Sequence, residues 1–273
     1  MTLDFNSTYK LIDKFVKADS IDLSNISFIH PWPLLMVCLL LIESSSSPKK
    51  LIIPENRDAC SYLSRMHLAN ILRELGYQDQ AQAISDFEST EQKNLNIHEI
   101  VHCSYRDDFN ARLGRFIGMF QNFGLSIEDS QRATAVIGEL GNNVFDHNSG
   151  SWPTNTVGCI IAAQHYPKKR TIEIAIADPG IGFLGSLSAA FPNMKDDITA
   201  IKKGLAGNSG RIGEVRGNGL RLVQHWTINN FLGTVMIHSG NGLVVVDRTG
   251  MKSFTVNKIA GTLAQFVINY AKL

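Results

Sequence analysis

The feature that most constrains this chain is Pro31-Trp32-Pro33 followed by the run LLMVCLLLI at 34–42. Two prolines suit a first helical turn, where a backbone N–H has no helical partner in any case. The residues after them are apolar on every side, so the segment reads as a helix that must be covered all round. It is less than half of the roughly 20 residues that cross a bilayer. A chain carrying it has to build a core around it, and 44% apolar residues in 273 suffice for one large domain or two ordinary ones.

Charge narrows the function classes. Charged residues make up 19% and the formal net charge is +1. No basic tail or stripe of the kind that tracks a nucleic-acid backbone is present, and Lys49-Lys50, Lys168-Lys169-Arg170 and Lys202-Lys203 read as solvated surface. The four cysteines, Cys38, Cys60, Cys103 and Cys159, form no CxxC pair and are too sparse for a disulfide scaffold or a zinc site. They read as buried free thiols in a reducing compartment. The first ten residues have no apolar core of a signal peptide. The expectation is a soluble, cytoplasmic protein with no membrane segment and no nucleic-acid partner.

Two regions emerge along the chain. In the first, IDLSNISFI at 21–29 reads as a strand, the apolar helix follows, and KLIIP at 50–54 reads as a short buried strand. Leu63, Met66, Leu68, Ile71, Leu72 and Leu75 recur with helical period and Gly76 closes the pattern. Strand, helix, strand, helix predicts a parallel α/β arrangement, with 78–95 as loop or linker. The second region starts near Arg106. It predicts a helix at 108–123 ended by Gly124, and a long helix begun by an N-cap at Ser126 and stopped by Asn148-Ser149-Gly150. Strands are expected at 157–163, 171–177, 235–238, 242–247 and 263–269.

Three segments carry candidate chemistry. On the long helix, Val136, Leu140 and Val144 form a buried stripe, and Glu139, Asn143 and His147 a second one beside it. A carboxylate and an amide one turn apart can serve one site: the amide oxygen can ligate a hard cation, the carboxylate can orient or deprotonate a hydroxyl. Asn142 points elsewhere round the helix. Taken alone, the stripe is also what the wet face of any amphipathic helix looks like. In IAIADPGIG at 174–182, a strand delivers Asp178 to a turn with Gly180 and Gly182. An aspartate there can accept from an exocyclic amine, and the glycines let a flat ring approach the backbone; an ordinary strand-to-loop turn has the same composition. Between 204 and 223 lie Gly204, Gly207, Gly210, Gly213, Gly217 and Gly219, with GNGLRLV starting a helix whose amides can bind phosphate. No GxxxxGK[ST] occurs, and GNGLRLV lacks the third glycine of the dinucleotide fingerprint.

In order and spacing these segments resemble the GHKL superfamily of gyrase-type topoisomerases, mismatch-repair clamps, histidine kinases and anti-sigma-factor kinases. Glu139 to Asn143 resembles the N box, Asp178-Pro179-Gly180-Ile181-Gly182 the first glycine box, and Gly217-Asn218-Gly219-Leu220 the second. Gly261-Thr262 resembles the closing GT. The likeness covers 106–273 and implies an ATP-binding domain at 105–273, an α/β sandwich with a mixed sheet and helices on one face. It implies that Asn143 ligates Mg²⁺, that Asp178 binds the adenine amine near Gly180, Gly182 and Thr262, and that Gly217, Gly219 and Leu220 sit at the phosphates. Glu139 stands where active members keep a general base.

The spacing of Glu139, Asn143 and His147 is most similar to the anti-sigma-factor serine kinases. His98-Glu99 opens like a histidine-kinase phosphoacceptor box, but no proline follows and the pattern stops. The first hundred residues resemble a STAS domain, the fold of anti-sigma-factor antagonists, with His30-Pro31-Trp32-Pro33 in place of the usual phosphorylatable serine. Residues 1–100 are then a regulatory or interaction domain, and the resemblance implies a regulatory protein partner of STAS or sigma-factor type and allows a homodimer. The expected function is Mg²⁺-dependent ATP binding with hydrolysis or serine phosphorylation; the alternative is an ATP-driven switch, or an interaction module, with little turnover.

Overall fold

A computed structural model of the chain describes residues 1–44, 47–87, 97–148, 151–152, 158–208 and 218–270. It is a mixed α/β protein built on a five-stranded antiparallel sheet. Strand β1 (Thr2–Leu3) leads into α1 (Phe5–Lys17), which opens on a capping box: Asp4 accepts from Ser7 N at 2.9 Å and Ser7 Oγ accepts from Asp4 N at 2.8 Å. Next come β2 (Ser20–Asp22), β3 (Phe28–Ile29), α2 (Pro31–Glu43) and β4 (Lys50–Ile52). The strand expected at 21–29 is therefore two strands. Asp22 Oδ1 accepts from Ser24 N at 2.9 Å, which turns the chain between them. β1 pairs with β3 and β2 with β4, both in parallel, giving two small sheets.

Helices α3 (Arg57–Arg65) and α4 (Leu68–Glu74) replace the single helix expected there, because His67 adopts a left-handed conformation, φ 58°, between them. Part of the expected linker is helix α5 (Gln78–Ser85). It buries only Ala81 and Ile84, too short a stripe to stand out in sequence.

The five-stranded sheet has the order β5 (Ile97–Cys103), β6 (Cys159–Tyr166), β7 (Thr171–Asp178), β9 (Gly250–Asn269), β8 (Thr234–Asp247). The segments 235–238 and 242–247 are one strand, β8, with register shifts between Ser239 and Gly242. His98 and Glu99 lie on strand β5, not on a phosphoacceptor helix. Helices α6 (Arg106–Asn122) and α7 (Ile127–Asn148) cross one face; Ser126 Oγ accepts from Asp129 N at 3.1 Å, as the N-cap pattern predicts. Between β7 and β8 lie α8 (Gly182–Leu187), α9 (Asp197–Leu205), α10 (Asn218–His225) and a wider π turn at Trp226–Asn230.

Alternation along the strands shows how the sheet is covered. Ile161, Ala163, Ile172, Ile174, Ile176, Ala264, Phe266 and Ile268 pack with Phe116, Phe120, Val136 and Ile137 from α6 and α7. Their neighbours Ile160, Ala162, Ala175, Ala177 and Leu263 pack on the other face with α2. Two expectations are thereby corrected: every pair in the large sheet is antiparallel rather than mixed, and helices cover both faces rather than one. The second correction follows from the sequence's own strongest feature. Every side chain from Pro31 to Ile42 is buried, and alanines at 162, 175 and 177 make the flat seat that an all-round apolar helix requires.

Candidate functional site

The long helix α7 ends beside the C-terminal end of β7, and the two build one side of a cleft. Leu140, Val144, Ile176, Phe183, Leu187, Leu220, Ile237 and Ala264 give it apolar walls. Asn143, His147, Asn148, Asp178, Ser186, Asn208 and Thr262 supply polar groups. It holds about 670 Å³ of empty space, part of it open to solvent. Small-molecule sites combine an apolar wall with a few polar groups in this way.

Asp178 sits at the last position of β7 and is 5% exposed. Its Oδ1 accepts from Gly180 N at 2.9 Å and from Asn148 Nδ2 at 3.2 Å. Burial pushes the carboxyl up to about 6, against the lowering effect of those two donors. Asn148 fixes the arrangement. Its Nδ2 also donates to Val144 O at 2.9 Å, and its Oδ1 accepts from Ile181 N at 2.8 Å. A Cβ at Gly180 would overlap the Asn148 amide, so the turn after β7 can close on α7 only with glycine there.

The strand behind Asp178 is held just as closely. Thr262 is its partner in register on β9. Gly261, at φ +69°, places its Cα against the Asp178 carbonyl, where a side chain would collide. Ser239, buried on β8, donates to Gly261 O at 2.9 Å and accepts from Phe183 N at 3.0 Å. This ties the start of α8, and Gly182 within it, to the sheet.

The structure thus brings Asn143, Asp178, Gly182, Leu220 and Thr262 to one cleft. Gly180 packs behind it, donating to Asp178. Glu139 is not among the cleft's lining residues; a Cβ at Gly219 would overlap its carboxylate, so Glu139 lies against the backbone at the start of α10. Gly210, Gly213 and Gly217, and residues 149–150, lie outside the described residues. Besides Ser186 and Asn208 on the cleft wall, Asn148 and Ser239, which hold Asp178 and the start of α8 in place, escaped the sequence reading. Asn148 read as a helix terminator, yet it continues the buried stripe Val136, Leu140, Val144 by four, and a polar residue on a buried stripe is a signal. Ser239 gave no local sign, because its role depends on β9.

Compared with known proteins, the chain matches no family, no curated protein and no solved structure. Among the described residues no helix is long and apolar enough to cross a membrane, and no group of three or more His, Cys, Asp or Glu side chains could by itself hold a metal ion.

Proposed function

We propose that this cleft binds ATP with Mg²⁺, and that the chain is a regulatory ATP-binding protein of the GHKL type, nearest to the anti-sigma-factor kinases. The observation that carries the reading is Asp178, a buried carboxylate pinned at one oxygen inside an apolar cleft. Such a group is costly to bury without a ligand and is suited to accept from the amine of a flat base held between Ile176, Ile237 and Leu187. Asn148 stands at this end of α7. Asn143 and then Glu139 follow toward the helix start, about 13 Å away at 1.5 Å per residue. Asn143, on the stripe beside that of Asn148, and Leu220 line the same cleft, so the triphosphate would lie toward Asn143 and Leu220 and the base toward Asp178.

The donor set fits a magnesium ion that arrives with its nucleotide. Mg²⁺ keeps waters and phosphate oxygens and needs few protein ligands; Asn143, on the cleft wall, is the residue that would hold it. When bound, the ion neutralises charge on the phosphate oxygens. Asn143 orients, Asp178 selects the base, and the apolar wall excludes water. Under the kinase or ATPase reading, Glu139 takes the proton of the attacking hydroxyl or water. Residues 1–100 supply a STAS-like surface for a protein partner. Phosphorylation at the start of α2 has no physical support: Pro31 and Pro33 remove N–H donors that a phosphate at His30 would need.

A second reading, an ATP-driven switch, is favoured by the position of Glu139 against α10 rather than in the cleft. Incubation with labelled ATP and Mg²⁺, reading free phosphate and labelled protein together, separates the two. Turnover that collapses in Glu139→Ala while nucleotide binding survives supports catalysis. No turnover in either protein, with α10 gaining protection from hydrogen exchange on ATP addition, supports the switch. Absence of nucleotide binding refutes both.

A further inference from the structure

One row of residues runs across all five strands of the large sheet. Cys103 on β5 pairs with Cys159 on β6, and Asp178 on β7 pairs with Thr262, which pairs with Ser239 on β8. Ile160 pairs with Ala177, so Cys159 is the next residue along β6 and lies beside Asp178. Cys103 and Cys159 face the α6–α7 side of the sheet, and both are fully buried.

Residues directly opposite on antiparallel strands have Cα atoms about 4.5–5.5 Å apart, within the roughly 4.4–6.8 Å that a disulfide spans. The close approach is enforced: Gly158 packs on the Cys103 carbonyl so tightly that a Cβ would overlap it. Each thiol is also the largest influence on the other's ionisation, Cys103 being held below the ordinary thiol range and Cys159 above it. That asymmetry gives the pair an attacking sulfur and a resolving one. Cys103 is the last residue of β5 and Cys159 the first of β6. Strand ends open locally at lower cost than strand centres, which gives a small oxidant its access. Cys38 and Cys60, on α2 and α3, have no such partner in register.

We propose that Cys103 and Cys159 are a redox modification site that closes to an intramolecular disulfide with a low-molecular-weight disulfide as oxidant, pinning the end of β5 to β6 beside Asp178. The Cys103 thiolate attacks the small disulfide, breaking its S–S bond and expelling one thiolate, which takes up a proton. A mixed disulfide is left on Cys103. Cys159 gives its proton to solvent and attacks the Cys103 sulfur, expelling the second small thiol. Two protein thiols are oxidised and one small disulfide is reduced to two thiols.

The test uses the full chain with oxidised glutathione, read by intact mass and by peptide mapping without reductant, and it needs no nucleotide. The expected result is loss of two hydrogens, a linked pair of peptides holding Cys103 and Cys159, and reversal by dithiothreitol. The thermal midpoint of the oxidised protein should rise by about 5 °C. A Cys38→Ser, Cys60→Ser double variant should behave as the parent does, and Cys159→Ser, which lacks the resolving thiol, should trap a glutathione adduct on Cys103. The proposal is overturned if mapping of the parent chain finds both cysteines still as thiols, or each separately carrying glutathione. Mapping the parent settles the matter even if a variant fails to fold.

Discussion

At the scale of single residues, the buried Asp178 works against stability while it is ionised. Asp178 takes up a proton more readily in the fold than in the unfolded chain, its carboxyl rising from an ordinary 3.8 to about 6. Above that range it is an ionised group in an apolar wall. Asp178→Asn keeps an oxygen for Gly180 N and Asn148 Nδ2 and removes the charge. The unliganded variant should therefore melt higher than the parent at pH 7.5, by an amount on the order of 1–3 kcal/mol; an unchanged or lower midpoint would mean that Asp178 is not strained by its burial. Asn143→Ala tests a different contact. Nucleotide affinity measured with and without Mg²⁺ should become less dependent on the metal, and an unaltered dependence would move the ligand role away from Asn143.

At the scale of elements, what was legible in the sequence is what local pattern controls. The Ser126 cap, the stripe on α7, the delivery of Asp178 by a hydrophobic strand and the buried nature of α2 are each written within a dozen residues. What could not be read depends on partners distant in the chain. The two halves of β8 are one strand only because β9 pairs with both across a bulge. The split of 21–29 depends on an aspartate side chain closing a turn, and the face that α2 covers depends on alanines more than a hundred residues later. Ala175 and Ala177 appear in sequence as unremarkable members of an apolar strand, yet they set the distance between α2 and the sheet. Ala175→Leu should destabilise the protein by about 1–3 kcal/mol or more through overpacking, read as a lower denaturation midpoint. No loss would show that α2 does not seat there.

At the scale of the whole molecule, both faces of the sheet are needed. A chain beginning at residue 105 would expose Ile160, Ala162, Met236, Leu243 and Leu263 to water and lose β5. It should aggregate or require detergent where the full chain does not, and a monodisperse, cooperatively melting fragment would count against a shared core. Acid stability has two opposed contributions. His238 is fully buried, with Nε2 within 3.1 Å of Gly240 O and 3.0 Å of Asn257 O and Nδ1 beside the Tyr9 hydroxyl. Burial lowers it to about 4, so only the unfolded chain takes up its proton between about 6.5 and 4. Stability then falls across that window by up to about 3 kcal/mol. Asp178 acts the other way, adding stability as pH falls through 6 toward 4. The parent should show a shallow acid profile and Asp178→Asn a steeper one; parallel profiles would contradict the opposed pair. The most direct measurement of the central claim is isothermal titration calorimetry of ATP with Mg²⁺ into the parent and into Asp178→Asn, each shown to be folded. The account predicts saturable binding to the parent and at least roughly tenfold weaker binding to the variant, since a charge-assisted hydrogen bond contributes about 1.5–3 kcal/mol. Equal affinities, or no heat of binding to the folded parent at millimolar ATP, would contradict it.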